Sequence, residues 1–323
     1  MIKLLWRTDI HLSEQTPRSR TDDWTETVLG KIRQVGEIAS RYEVDAVIDG
    51  GDFFDVKSPI RNSHSLVRRA IEAHKDYPCP VYANVGNHDC VYGDYRHLPQ
   101  QPLGVLFESG VFKRLYDEHE LILQKGNTKV RVVGVPYHGT RYDLSRFRNI
   151  KRNDEDHLVC AAHVLAAPVI CQMFDAEDIM LYDNLDLYEP TSFLFGHWHK
   201  DQDIMYTPFG KAIINIGSLT RGSLNQDNVE RTPSVVIMEF GKKEQKFTKV
   251  PLVCSPPSVV FDIVKKEAED LKDESMDEFM GKLKEMVLPP STMSFRDTVT
   301  SMDGIPDIIK EKTISYIERA GGR

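Results

Sequence analysis

Apolar residues fall along this chain in two rhythms. Short, near-continuous apolar runs fill "IKLLWRT" (2–8), "VDAVIDG" (44–50), "CPVYANV" (79–85), "KVRVVGV" (129–135) and "HLVCAAH" (157–163). Further runs are "SFLFGH" (192–197), "AIINIG" (212–217), "SVVIMEF" (234–240) and "KFTKVPL" (246–252). Segments of this length, apolar on both faces, predict sheet strands covered by helices. Between the first two runs, Trp24, Val28, Ile32, Val35 and Ala39 recur at helical spacing, and Asp22 or Asp23 stands where it can accept from the open amides of the helix start. This predicts a helix lying on the sheet, with Trp24 a packing anchor ahead of a ligand-stacking platform. From 192 onward the runs follow one another without room for helices, which predicts antiparallel additions and a second sheet.

The rhythm changes around "PLVCSPPS" (251–258), where three prolines interrupt ladder hydrogen bonding. Lysine, glutamate and aspartate then dominate. Met276, Phe279, Met280, Leu283 and Met286 form one helical stripe, read as core packing ahead of an exposed partner groove. A final helix is expected near "GIPDIIKEK", with Pro306 where its missing amide hydrogen costs little. The expected fold class is α/β: a two-sheet sandwich flanked by helices over 1–252, then a small α/β domain over 253–323. A chain of 323 residues is long enough for that division.

The first residues, "MIKLLWRTDIHLSE", lack the long apolar centre of a secretory segment, and no stretch is apolar enough to span a bilayer. Five cysteines without repeated close spacing suit buried thiols in a reducing compartment, so a cytoplasmic setting is expected, bacterial or that of a phage host. The formal charge of -8 gives no global attraction to nucleic acid. It leaves room for a carboxylate-rich site neutralised by cations.

The chemistry sits in short polar groups just past the apolar runs. "TDIH" supplies Asp9 and His11, "DGGDFFD" Asp52, "GNHD" Asn87 and His88, "CAAH" His163, and "GHWH" His197 and His199. Residues two apart on an extended segment point the same way, so each pair can aim at one place. Singly, each has a plain reading as a turn former, helix cap or structural histidine. Together they occupy the positions where open sheets present ligand-binding groups. Leaving them unpaired in one crevice would be costly, whereas cations turn the repulsion into attraction. Imidazole and carboxylate donors without paired thiolates suit manganese, zinc or iron. They exceed the needs of one tetrahedral ion, and two ions about 4 Å apart sharing a carboxylate account for the surplus.

The ordered pattern D-x-H, G-D, G-N-H-D, H, G-H-x-H over residues 1 to about 220 resembles the calcineurin-like metallophosphoesterase superfamily. The resemblance implies a metallophosphoesterase sandwich in which Asp52 bridges two ions. One would be held by Asp9, His11 and His199, the other by Asn87, His163 and His197. His88 would then contact the phosphate without binding metal and protonate or stabilise the departing oxygen, a role open to an imidazole near neutral pH. Asp89 either orients His88 or caps the following turn.

A narrower resemblance is to the Mre11/SbcD nuclease subunits. "GDFFDVKSP" (51–59) is similar to their G-D-x-F-D/H-x-x-x-P segment, and "INIGSLTR" (214–221) to N-P-G-S-x-x-R, with Ile216 in place of the usual proline. That family implies a Mn²⁺-dependent DNA exonuclease and endonuclease acting at DNA ends in recombination, repair or replication. It further implies a homodimer, a capping or partner-binding C-terminal domain, and an SMC-like ATPase partner of the Rad50/SbcC kind. Mg²⁺, Fe²⁺ or Zn²⁺ are alternatives to Mn²⁺. Asp55, where archaeal and eukaryotic members tend to carry histidine, leans the resemblance toward bacteria or their phages; it reads as a hydrogen-bond acceptor behind the ligands or a turn residue.

For DNA, "GTRYDLSRFRNIKRND" offers Arg141, Arg146 and Arg148 as backbone contacts, with a solvated face the even alternative. Arg221 would meet a phosphate or neutralise a carboxylate. Tyr137 and His138 would line the approach or simply pack. The stripe Leu66, Val67, Ala70, Ile71 and Ala73 reads as a helix packed on the sheet; the resemblance implies a dimer contact there. The rival functions are a phosphatase or small-nucleotide phosphodiesterase of the same superfamily and, less favoured, a metal-stabilised scaffold. "GDFFDVK" lacks the G-D-x-V-D-R-G of the protein phosphatases.

Overall fold

A computed structural model describes residues 1–91, 94–170, 177–262, 295–300 and 305–319. The chain divides into two compact units, Met1–Lys266 and Glu267–Arg323. In the first, the strands are β1 (Ile2–Arg7), β2 (Ala46–Asp49), β3 (Val81–Ala83), β4 (Phe112–Arg114), β5 (Glu120–Lys125), β6 (Thr128–Val135), β7 (His157–His163), β8 (Ala166–Ala167), β9 (Met180–Leu181), β10 (Ser192–Gly196), β11 (Ile204–Tyr206), β12 (Ala212–Ile214), β13 (Ser234–Phe240) and β14 (Gln245–Pro251). Helices α1 (Trp24–Tyr42), α2 (His64–Ala73) and α3 (Pro102–Glu108) alternate with β1 to β4, and the short α4 (Ser145–Arg148) follows β6.

One sheet has the order β14-β13-β1-β2-β3-β4 and the other β11-β12-β10-β7-β6-β5. Both are mixed. Strands β1 to β4 pair in parallel through helical crossovers, and β13 and β14 add antiparallel. In the second sheet β6, β7, β10 and β12 are parallel, flanked by antiparallel edges β5 and β11.

The pleat of β1 separates two cores. Ile2, Leu4 and Trp6 enter the space between the sheets with Val132, Val159, Leu194 and Met238. Leu5 points the other way, into Ile32 and Val35 of α1 and Ala70 of α2. A third cluster, including Cys160, Phe193, Phe195 and Tyr182, covers the outer face of the second sheet. At the start of α1, Asp23 Oδ1 accepts from the Glu26 amide at 3.0 Å. Asp22 is taken instead by Arg20 and Thr27. Trp24 is 2 % exposed, the packing anchor its spacing predicts.

The sandwich and its main strands follow the apolar pattern, with instructive exceptions. The expected antiparallel run after 192 holds for β13 and β14 but not for β12, which pairs parallel to β10 because the chain between them reverses at the edge as β11. Strand β12 also ends at Ile214, short of the expected 217. Strands β4, β5 and β11 carry too little apolar signal to be read. Along β5 only Leu121 is buried and Ile122 is half exposed, as on an edge.

In the second unit the described residues form helices Phe295–Thr300 and Asp307–Arg319. The Pro306 carbonyl accepts from the Ile309 and Lys310 amides, so the proline stands just ahead of the helix. The methionine stripe from Met276 to Met286 lies outside the described residues. Among the described residues, no helix is long and apolar enough to cross a membrane.

Candidate metal centre

Five loops leave the carboxyl ends of β1, β2, β3, β7 and β10 and bring the polar groups together. They do so by bending rather than by the extended geometry the two-residue spacing predicts. Asp9, His11 and Asp52 have φ near +52° and His197 has φ 95°, a left-handed backbone that residues with side chains seldom adopt. The turns are locked by hydrogen bonds: the Asp9 amide donates to the Gly51 carbonyl, and the His11 amide to the Asp52 carbonyl. Gly51, at φ +101°, is the one glycine here required for its backbone angle. Gly86 is required for space, since a Cβ there would lie 2.0 Å from Asp52 Oδ1.

Two side-chain clusters share Asp52. Asp9, His11, Asp52 and His199 form the first, and Asp52, His163 and His197 the second. Asp52 Oδ2 lies 3.8 Å from His11 Nε2 and 3.3 Å from His163 Nε2. Asn87 Oδ1 completes the second cluster, 3.1 Å from His163 Nε2 and 2.9 Å from His197 Nδ1. In the first, His11 Nε2 and His199 Nε2 approach to 2.9 Å, and His199 Nε2 lies 3.7 Å from Asp9 Oδ1. Imidazole nitrogens and carboxylate oxygens thus converge on two points, the donor set that fits divalent transition-metal ions. Burial pushes the Asp52 carboxyl up, but the neighbouring His163, His11 and His88 outweigh it and hold it well below the usual carboxylate range. Burial likewise disfavours charge on His163, and Asp52 overrides it and raises the imidazole. The clusters suggest a dinuclear metal site.

His88 stands beside the centre. Its amide donates to Asp52 Oδ1 at 2.7 Å, its Nδ1 lies 2.6 Å from the Asp55 carbonyl, and its ring meets that of His11 edge-on. The carbonyl fixes Nδ1 as the protonated nitrogen. The Asp55 carboxylate lies 3.4 Å from His11 Nδ1, within ion-pair reach, though that nitrogen makes no hydrogen bond. Asp89 does not touch His88. It is buried, and its carboxylate accepts from the amides of Asp52 at 2.7 Å, Gly86 at 2.9 Å and Phe53 at 3.1 Å, tying the Asp52 and Asn87 loops together. Burial and then the Asp52 charge push Asp89 up to about 7.

Two contributors were not legible in the chain. Glu177 meets His197 Nε2 at 3.0 Å and accepts from the Tyr142 hydroxyl at 2.7 Å, and that hydroxyl in turn accepts from the Leu165 amide. A lone glutamate in the acidic stretch "FDAEDIM" carries no signal of such a role. The Tyr137 ring packs 5.4 Å from that of His197.

The basic candidates divide. Arg141 is exposed and pairs with Asp178 at 2.6 Å, and Arg146 and Arg148 flank the buried Phe147 on α4. Arg221 is 5 % exposed and donates to the carbonyls of Ser255 and Asn228, turned away from solvent.

Comparison with known proteins bears on this centre. The family model described as calcineurin-like phosphoesterase matches residues 2–201. The chain is similar to the double-strand break repair protein mus-23 of Neurospora crassa, 26% identical over 81% of this chain and 41% of that protein. It is also similar to the DNA double-strand break repair protein Mre11 of Saccharolobus solfataricus, 27% identical over 42% of this chain and 34% of that protein. The chain therefore spans about two fifths or less of the length of these relatives. Among solved structures, a protein of Thermus thermophilus is 11% identical, over 77% of this chain and 98% of that one, with a TM-score of 0.45.

Proposed function

The chain belongs to the calcineurin-like phosphoesterase family, and from that premise we propose that it hydrolyses phosphoesters with two metal ions held by Asp9, His11, Asp52, Asn87, His163, His197 and His199. The observation that carries the proposal is the single Asp52 Oδ2 set between His11 Nε2 and His163 Nε2, one carboxylate common to two clusters. When bound, such ions supply Lewis acidity toward a phosphoryl oxygen and lower the pKa of water.

The chain's own residues have distinct tasks. Asp89 holds the Asp52 loop against Gly86, which keeps both clusters in register. Glu177 fixes the His197 ring by its Nε2 and leaves Nδ1 for the centre. His88, with Nδ1–H committed to the Asp55 carbonyl, carries on Nε2 the proton delivered to the departing oxygen. Asp55 steadies His11. The test is metal analysis together with hydrolysis of a bis-aryl phosphodiester and an aryl phosphomonoester. Turnover that requires Mn²⁺ and disappears after chelation supports the reading; turnover indifferent to chelation overturns it.

Within that class, the substrates to be separated are small phosphoesters and DNA. The DNA reading makes the chain a Mn²⁺-dependent nuclease at DNA ends, with Arg141, Arg146 and Arg148 near the approach, a homodimer, a C-terminal domain over 253–323 that caps the site or binds a partner, and an SMC-like ATPase as that partner. Its support is the similarity to relatives named for DNA double-strand break repair, while the family match supports the broader phosphoesterase reading. Degradation of linear DNA at rates above those for small phosphodiesters supports it, and turnover confined to small phosphoesters leaves the chain a phosphatase or small-nucleotide phosphodiesterase.

A further inference from the structure

A pocket of about 200 Å³ lies between α1 and the segment that follows β14, lined by Arg20, Lys31, Gln34, Arg221, Cys254 and Ser255 among others. Its cations outnumber the carboxylates that neutralise them. Arg20 makes a two-pronged pair with Asp22, at 2.6 and 2.8 Å. Arg231, whose guanidinium donates to the Ser218 carbonyl at 2.7 Å, pairs with Asp227 at 3.1 Å. Lys31 and Arg221 have no such partner among the described residues. Lys31 Nζ donates to the Leu219 carbonyl at 3.2 Å and approaches Cys254 Sγ at 3.4 Å. Arg221 donates to the Ser255 carbonyl at 2.6 Å and reaches the Asn228 carbonyl at 3.5 Å. Its buried Nε has no acceptor among the described residues. Glu26, the carboxylate on the rim, is engaged by Arg33 and Arg69.

Lys31 and Arg221 are each 5 % exposed. Charges held this deep without a counter-ion are expensive, because neutral carbonyls replace only part of the lost hydration and none of the missing opposite charge. We propose that this pocket is a binding site for a phosphate-class oxyanion, held by Lys31 and Arg221 with Arg20 at its side. A tetrahedral oxyanion supplies the missing negative charge, an acceptor for the Arg221 guanidinium, and an acceptor for the Lys31 ammonium N–H that the Leu219 carbonyl and Cys254 leave over. The space is several times the roughly 30 Å³ share of one water, room for such an ion with residual hydration. The same chemistry is offered by free phosphate and by the terminal phosphate of a nucleic-acid chain.

The site is separate from the metal centre yet shares a loop with it. Between β12 and Arg221, Ser218 Oγ donates to the Asp9 carbonyl and the Leu219 amide to the Thr8 carbonyl, while the Leu219 carbonyl faces Lys31.

Thermal unfolding of the metal-free full chain in chelator tests the proposal, with chloride exchanged for phosphate at constant pH and ionic strength. At about ten times its dissociation constant, phosphate is expected to raise Tm by roughly 2 °C. Lys31→Met should lose the rise. Gly30→Glu guards against a misfolded variant: Gly30 lines the pocket on α1, a Cβ there meets nothing within 4 Å, and the new carboxylate occupies the anion's place. Gly30→Glu should fold and not respond, while Gly30→Ala should respond as the native chain does. A trinucleotide with a 5′-phosphate, compared with its 5′-hydroxyl form, distinguishes a chain end from free phosphate as the source. No rise in the native chain, or a rise that survives in both Lys31→Met and Gly30→Glu, overturns the proposal.

Discussion

Glu177 holds the Nε2 edge of His197 at 3.0 Å, so that the opposite edge, Nδ1, lies 2.9 Å from Asn87 Oδ1. A carboxylate behind a ligating imidazole fixes the ring and raises its basicity. Glu177→Gln should keep the fold, by circular dichroism, and weaken Mn²⁺ binding about 10- to 100-fold in a calorimetric titration. Unchanged affinity would mean that Glu177 only fills space.

In the proposed function His88 acts on the departing oxygen and does not hold metal. His88→Ala should leave the metal content of the purified protein intact and lower turnover roughly 10²- to 10⁴-fold. The loss should shrink for a nitrophenyl ester, whose leaving group needs no proton. Equal losses on good and poor leaving groups would remove the acid role.

Arg7 and Asp49 form a fully buried pair at 2.7 Å, with Asp49 Oδ1 also accepting the Gly51 amide. The Arg7 guanidinium further reaches Tyr77 and His74, each at 2.8 Å. Arg7→Met strands the carboxylate and should cost about 3–5 kcal/mol in urea unfolding. Adding Asp49→Asn, which removes the charge and retains an acceptor for Gly51, should recover much of that loss. If the double variant is no more stable than the single one, the charge is not the cause.

Lys31 sets a pH dependence outside the metal centre. Burial, with help from Arg221 and Arg231 and against Cys254, brings its ammonium down to about 8. At Lys31 the unfolded chain, near 10.5, then binds more protons than the folded one between those two values, so this residue's contribution to stability rises with pH across about pH 8 to 10.5. The gain is on the order of 3 kcal/mol. Unfolding at pH 7.5, 9 and 10.5 should show the native chain gaining on Lys31→Met as pH rises, over the opposite trend of the raised thiols Cys79 and Cys90 that both proteins share; parallel curves would exclude it.

How far the chain could be read depends on whether a feature is local. Strand β1 and helix α1 announce themselves because each carries its own apolar period within a few residues. The groups Asp9, His11, Asn87 and His197 are legible because each follows such a run. The edge strand β5 is not, since most of its residues face water and its pairing with β6 comes from the backbone. Glu177 and Tyr142 were missed for a related reason: their meaning lies in a side chain brought from elsewhere in the fold. Asp89 stands out in the chain, but its task, binding four amides of two loops, depends on left-handed turns that no periodicity encodes.

The Asp9 carboxylate accepts from the His197 amide, across 188 positions of chain. The bond joins the segments that follow β1 in one sheet and β10 in the other, so it exists only where the two sheets have come together. On the proposed function, metal uptake then reports on completed assembly: a chain that has not brought its two sheets together has only fragments of a chelator, and the ions would be the last check on a correctly built molecule.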